Sequence, residues 1–469
     1  MTIQSLNALN LSVSNASQFV ADVKDNSRVL AFFLGGSESS TDSNLNTDQQ
    51  RALVYKDASI VSRVAPAGVN VVVENIPWVR GQVYNKWNSK NPPKSRYYVS
   101  HNNNVYLILD NSDFNTKKKE STIPVSVPPT HTEGVVKQSD GYAYLYLYTI
   151  SATDKANVNS SQFISVPDKI LTSHSGKLMT VEIDLSEISA SNQVIGTKEA
   201  VVPILSDTGS GASIRFETVV VSSPTATTSQ RLYKIVGIRA ENYGDGGYLD
   251  FELNDSLTEV LTEESAAQIL DISGAITIGF SSTQGLNIRE ILGAKFAAVN
   301  LEIDSRGISS SIDQKEFFRF GLIENVEKTD DTKLFSGDDT GESFTNQLKF
   351  RVTALGTAST GGANLTVGTN LTLLTSAGAS QKQNTKFVGK KQVNTIQQDI
   401  EVHTTNKDSV GVGGKVKVPK TNEEYTITSV TKPEIKQNSG KTLHIGGTKF
   451  TIDDNDVNKR FFAQIIQRF

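Results

Sequence analysis

The stretch SDGYAYLYLYTIS, Ser139 to Ser151, carries no charge from Gly141 to Ser151 and alternates tyrosine with small or aliphatic residues. Side chains on a β-strand point alternately to opposite faces. Strict alternation puts Tyr142, Tyr144, Tyr146, Tyr148 and Ile150 on one face, and Ala143, Leu145, Leu147 and Thr149 on the other. A strand apolar on both faces is covered on both sides, in a core or at an interface. Four buried tyrosine rings would remove on the order of 600 Å² from water. At ~25 cal/mol/Å² that is ~15 kcal/mol before the entropy of ordering is counted. Each buried hydroxyl needs a partner. The row therefore predicts rings in the core with oxygens turned towards a neighbouring chain.

The rest of the sequence predicts a mostly β protein. The 469 residues are rich in the glycine and small polar residues that join short strands. The expected fold class is a multi-subdomain α+β arrangement with β-sandwich-like sheets, a few short helices and β-rich insertions. The expected regions are 1–175, α+β with the aromatic core strand, and 176–304, a β domain with one helix and an insertion at about 205–250. A C-terminal β region, 305–469, carries a Gly/Ser/Thr-rich insertion at about 350–438. The low bulk of GTASTGGANLTVGTNLTLLTSAGASQ predicts a peripheral place for it.

Helices are expected at Ser12 to Asp25, capped by Ser14 or Ser17, at Thr47 to Val64, and across DSLTEVLTEESAAQILDIS from Asp255. A buried strand is expected at RVLAFFLGG and a strand at VNVVVEN. RYYVS and VYLILD form a hairpin about HNNN, because asparagine tolerates left-handed backbone angles. VPPTHTEG reads as an extended connection stiffened by proline.

Composition removes several classes of function. The net charge of −4 gives no general field for nucleic acid or an anionic membrane, so neither is an expected partner. No apolar run reaches the ~20 residues of a membrane helix, and the N-terminus has no signal-peptide pattern. With no cysteine there are no disulfides, thiolate metal sites or cysteine nucleophiles, and folding does not depend on an oxidising compartment.

No catalytic, cofactor or metal set emerges from the motifs. The histidines His101, His131, His174, His403 and His444 are scattered. GGSESS after a strand lacks the lysine of a phosphate loop. ENYGDGGYLD reads as a glycine hairpin turn rather than a calcium loop. DDNDVN lacks the glycine and helical flanks of an EF-hand. A polysaccharide hydrolase would need paired carboxylates in a groove; Asp140 and Glu133 lie near the aromatic strand, where loop placement accounts for them.

The order of several segments is familiar. DGYAYLYLYTI is followed by FISVP, and VPPTHTEG precedes it; VLAFFLGGSES stands near the start. FFRFGLIENV, SGKTLHIGGTKFTI and FFAQIIQRF come late. In this order the chain resembles the baseplate wedge subunit of contractile-tailed phages of the T-even type, the product of their gene eight. Residues 205–250 and 350–438 fall outside the pattern. That family's tryptophan after the Gly-x-Ser-Glu turn is missing at Ser39 and Ser40, and its aromatic-strand tryptophan is Tyr144 here. The resemblance implies a virion structural protein that is not an enzyme and has no cofactor. It would be assembled in the host cytoplasm, dimeric within each wedge, and in contact with other baseplate wedge proteins until the sheath contracts. Tyr142, Tyr144, Tyr146 and Tyr148 are then structural or interface residues. A carbohydrate- or receptor-binding tail protein, stacking sugars on the tyrosine row, is the alternative.

Overall fold

The structure is a computed structural model. It describes residues 3–35, 58–89, 92–93, 95–111, 124–158, 160–187, 194–195, 200–222, 232–246, 251–252, 275–304, 316–329, 343–345, 348–354, 369–381, 385–392, 397–404, 410–436, 439–451 and 460–469. The protein is mostly β, built from several antiparallel sheets with three α-helices among the described residues. It divides into two units: residues 1–16, 71–296 and 469, and residues 17–70 and 297–468.

The first unit contains the tyrosine sheet, with strands in the order Tyr98–His101, Asn104–Asn111, Tyr142–Thr149 and Val135–Lys137. The first two form the expected hairpin. Its turn residues, Asn102 and Asn103, take φ values of 48° and 69°, the left-handed region asparagine tolerates. A second sheet is built on a long hairpin, Gly209–Ser222 against Leu232–Gly246, flanked by Ala200–Pro203 and Val194–Ile195. Its even-numbered positions Ala212, Ile214, Phe216, Ile238 and Ala240 enter a core with Leu178, Val181 and Ile278. The same segment corrects the reading of ENYGDGGYLD. Glu241 to Gly246 continue a strand that pairs with residues 209–213, so Gly244 and Gly246 turn no hairpin; residues 247–250 lie outside the described residues.

The second unit contains a five-stranded sheet ordered Ser343–Thr345, Ala58–Arg63, Leu30–Gly35, Glu316–Glu324 and Lys441–Thr451. Leu30–Gly35 is buried at every position, as an apolar run between two partners must be. Pairing here joins residues 30–63 to residues 316–345 and 441–451, across the regions expected from sequence. The expected helix at Thr47 to Val64 is overturned over its described part. Ala58–Arg63 is a strand buried throughout, because hydrogen bonding to Leu30–Gly35 overrides the helical spacing of Ile60, Val61 and Val64. Residues 36–57 and the expected helix from Asp255 lie outside the described residues.

One further expectation is corrected and one is made specific. The N-terminal helix is Ile3–Lys24, longer than expected, so Ser14 and Ser17 lie inside it and do not cap it. Its buried side chains include Phe19, Val20 and Val23, the expected stripe, together with Val13 and Ala16. The segment read as a Gly/Ser/Thr-rich β-insertion takes the form of a closed barrel, which the sequence reading does not specify. Its strands run Leu348–Ala354, Gln397–Thr404, Thr385–Gln392, Asn370–Leu374, Lys415–Lys417 and Glu424–Thr431, the last pairing back on the first. Leu348, Phe350 and Val352 point inwards with Leu373, Ile400, Val402, Val416 and Ile427. Closure leaves no free edge, and side chains including Phe350, Phe387 and Tyr425 fill the interior.

Candidate functional site

The tyrosine strand is covered on both faces, but its alternation is broken. Val105 pairs with Tyr148 and Tyr106 with Tyr146, so Leu147 is an extra residue on the tyrosine strand. Residues directly opposite share a face, and Val105 and Tyr106 are on opposite faces. The bulge therefore turns Tyr148 to the face opposite Tyr142, Tyr144 and Tyr146. The expected row of four is three plus one.

Tyr142, Tyr144 and Tyr146 gather with Tyr84, Val99, Tyr106, Ile108 and Val125. Tyr142 and Tyr144 stack with centroids 5.9 Å apart and planes at 17°. Tyr106 meets Tyr144 and Tyr146 edge-on at 6.3 and 6.0 Å. Tyr142, Tyr144 and Tyr148 are 0%, 0% and 5% exposed, while Tyr146 is half-buried.

Most hydroxyls are spent within the chain, correcting the expectation that they face a neighbour. Tyr142 Oη accepts from the Tyr84 N–H at 3.2 Å. Tyr148 Oη donates to the Ser165 carbonyl at 2.8 Å, and Tyr106 Oη to the His131 carbonyl at 2.8 Å. Tyr146 Oη and Thr149 Oγ1 lie 2.8 Å apart. Tyr144 Oη faces the Trp78 indole without a well-formed bond. Burial raises the Tyr144 and Tyr148 hydroxyl pKa values well above the ordinary tyrosine value. These rings are therefore neutral packing groups.

The loop residues near this strand are structural. Asp140 Oδ2 accepts from the N–H groups of Ser126 and Val127 at 2.7 and 3.0 Å, fixing the start of the proline segment. His131 in that segment places Nε2 3.0 Å from the Tyr144 carbonyl, and burial lowers its pKa.

Sequence reasoning missed an ionic layer on the other face of this sheet. A second bulge, at Leu109, sets Asp110 opposite Ala143, which also faces Lys137. Asp110 and Lys137 thus share a face. Across from them, the odd-numbered positions of the long hairpin carry Arg215, Glu217, Arg239 and Glu241. Arg215 holds both oxygens of Glu241, at 3.0 and 2.7 Å. Arg239 Nε is 3.0 Å from Glu217 Oε1. Lys137 Nζ donates to the Ala240 carbonyl at 3.2 Å and lies 3.8 Å from Glu241.

Burial dominates Glu217. It pushes the carboxyl up to about 7, Arg239 pulls it down, and Asp110 adds repulsion. Glu241, less enclosed and held by Arg215, is lowered. Raised carboxyls occur in catalytic sites and in structural networks alike. Asp110 and Glu217 are 4% and 8% exposed, too enclosed to meet a polysaccharide. The only sequence signs were an acid ending VYLILD and another interrupting RFETVVV.

Among the described residues no group of three or more histidine, aspartate or glutamate side chains is placed to hold a metal. DDNDVN and GGSESS beyond Gly35 lie outside the described residues. No helix among the described residues is long and apolar enough to cross a membrane. No protein-family model matches the chain, and no curated protein matches it.

Proposed function

We propose that this chain is a structural subunit of a phage tail baseplate wedge, of the gene-eight product type, working through protein–protein interfaces and without a catalytic centre. The observation that carries the reading is where the resembling segments fall. VLAFFLGG, FFRFGLIENV and SGKTLHIGGTKFTI, from opposite ends of the sequence, are adjacent strands of one sheet. Residues 350–438, outside the resemblance, hold a closed barrel with its own core. That is the pattern of an old framework with an added module. DGYAYLYLYTI and FISVP are joined through Tyr148 and Ser165.

Exposed apolar residues support assembly as the mode of action. Val219, Val220 and Val221 are 46%, 52% and 54% exposed in succession on the Gly209–Ser222 strand. Consecutive apolar side chains on both faces of a strand end favour a protein partner over water. The pairing is tested by light scattering on the purified chain. A dimer, converted to monomer by Val219→Lys with Val221→Lys, supports both the dimer and this surface. A wild-type monomer at all concentrations contradicts the dimer.

A further inference from the structure

We propose that the recess beside Trp78 binds a neutral saccharide. Trp78 stands between the recess and the tyrosine cluster, against which it packs; the tyrosines themselves do not line the recess. A cavity of about 570 Å³ opens among Trp78, His101, Asn102, Asn103, Ser161 and Phe163, all in the first unit. Its size is that of ligand cavities in general.

The walls are held rigidly. The Trp78 N–H donates to the Ser100 carbonyl at 2.8 Å, and its ring meets His101 edge-on at 5.6 Å. Asn75 is fixed at both ends of its amide: Oδ1 accepts from Ser100 Oγ at 2.6 Å, and Nδ2 donates to the Ser161 carbonyl at 3.0 Å. Asn102 and Asn103 are set by the left-handed hairpin turn.

The recess carries one charge of each sign, and each side chain has a local neutral partner. Asp154 closes a capping box with Ser151, and Lys155 Nζ donates to Asn103 Oδ1. An anionic ligand would gain Lys155 but meet the Asp154 carboxylate, and a cationic one the reverse, so the paired signs favour no net charge. His101, Asn102 and Ser161 make no side-chain hydrogen bond among the described residues, so an imidazole, a carboxamide and a hydroxyl remain for a ligand. Neutral donors and acceptors around an aromatic wall suit a molecule with one apolar C–H face and a rim of hydroxyls, which is a pyranose.

The test uses the full-length chain and ligand-observed saturation-transfer NMR with cellobiose, maltose, lactose and N,N′-diacetylchitobiose. Asn102 and Ser161 are exposed, and glycine accepts the backbone angle at 102, so Asn102→Gly with Ser161→Ala preserves the fold. The expected result is saturable binding of at least one disaccharide, weakened about tenfold or more in the double variant, with an unchanged unfolding midpoint. Absence of saturable binding across the four sugars, or binding unaltered in the double variant, overturns the proposal.

Discussion

The Tyr148 hydroxyl donates to the Ser165 carbonyl at 2.8 Å, tying the tyrosine strand to the strand Phe163–Ser165. The bond exists because the bulge at Leu147 turns Tyr148 away from the other three tyrosines. Both residues are buried. Tyr148→Phe leaves the Ser165 carbonyl without this donor and is expected to cost about 1–2 kcal/mol. Urea denaturation measures it; an unchanged midpoint would show that the carbonyl finds another donor.

Two buried groups give opposite pH dependences. Glu217 titrates near 7 in the folded chain against 4.5 as a free group. The folded state therefore holds the extra proton, and the stability linked to Glu217 is full below about 4.5 and lost as pH rises through about 7. His174 is pulled down to about 4 from 6.5, by burial first and Lys177 second. Its contribution is present above about 6.5 and lost as pH falls through about 4. Glu217→Gln should remove the decline between pH 5 and 7, and His174→Gln the one between 6.5 and 4, in unfolding midpoints followed across pH.

Gly321 sits where no side chain fits. A Cβ there would lie 2.3 Å from both the His444 carbonyl oxygen and the Phe33 ring. The strands on both sides fix these atoms, so Gly321→Ala is expected to destabilise by ~3 kcal/mol or more. Gly411→Ala, where a Cβ meets nothing within 4 Å, is the matched control. Thermal unfolding of the two variants separates a packing clash from a general effect of added bulk.

The barrel begins and ends at one place, since Lys349 pairs with Thr431. Close termini and a private core mark an excisable module. Replacing residues 349–431 by a short Gly/Ser linker should leave a chain that still unfolds cooperatively, and the barrel expressed alone should show a β circular-dichroism spectrum. Aggregation of both pieces would mean that each depends on the other.

What the sequence could reveal depended on range. The tyrosine strand, the Leu30–Gly35 strand and the Asn102–Asn103 turn follow from local periodicity and backbone preference, and all three are present. The bulge at Leu147 is invisible to period-two counting, because it depends on which residue of Asn104–Asn111 lies opposite. Ala58–Arg63 has helix-compatible spacing and became a strand only through its partners. The ionic layer joins Asp110 and Lys137 to residues far along the chain, so no local pattern could find it. The barrel hid because its inward-facing residues, Phe350, Leu373, Ile400, Val416 and Ile427 among them, lie on strands far apart in sequence and meet only when the sheet closes.

The central claim is that this chain acts by fitting against other polypeptides in a tail baseplate. Immunogold electron microscopy of purified contractile-tailed particles encoding it tests this most directly, using an antibody raised against the barrel. Label on the baseplate ring is the predicted result; particles that carry fully assembled tails and no trace of the chain would contradict it.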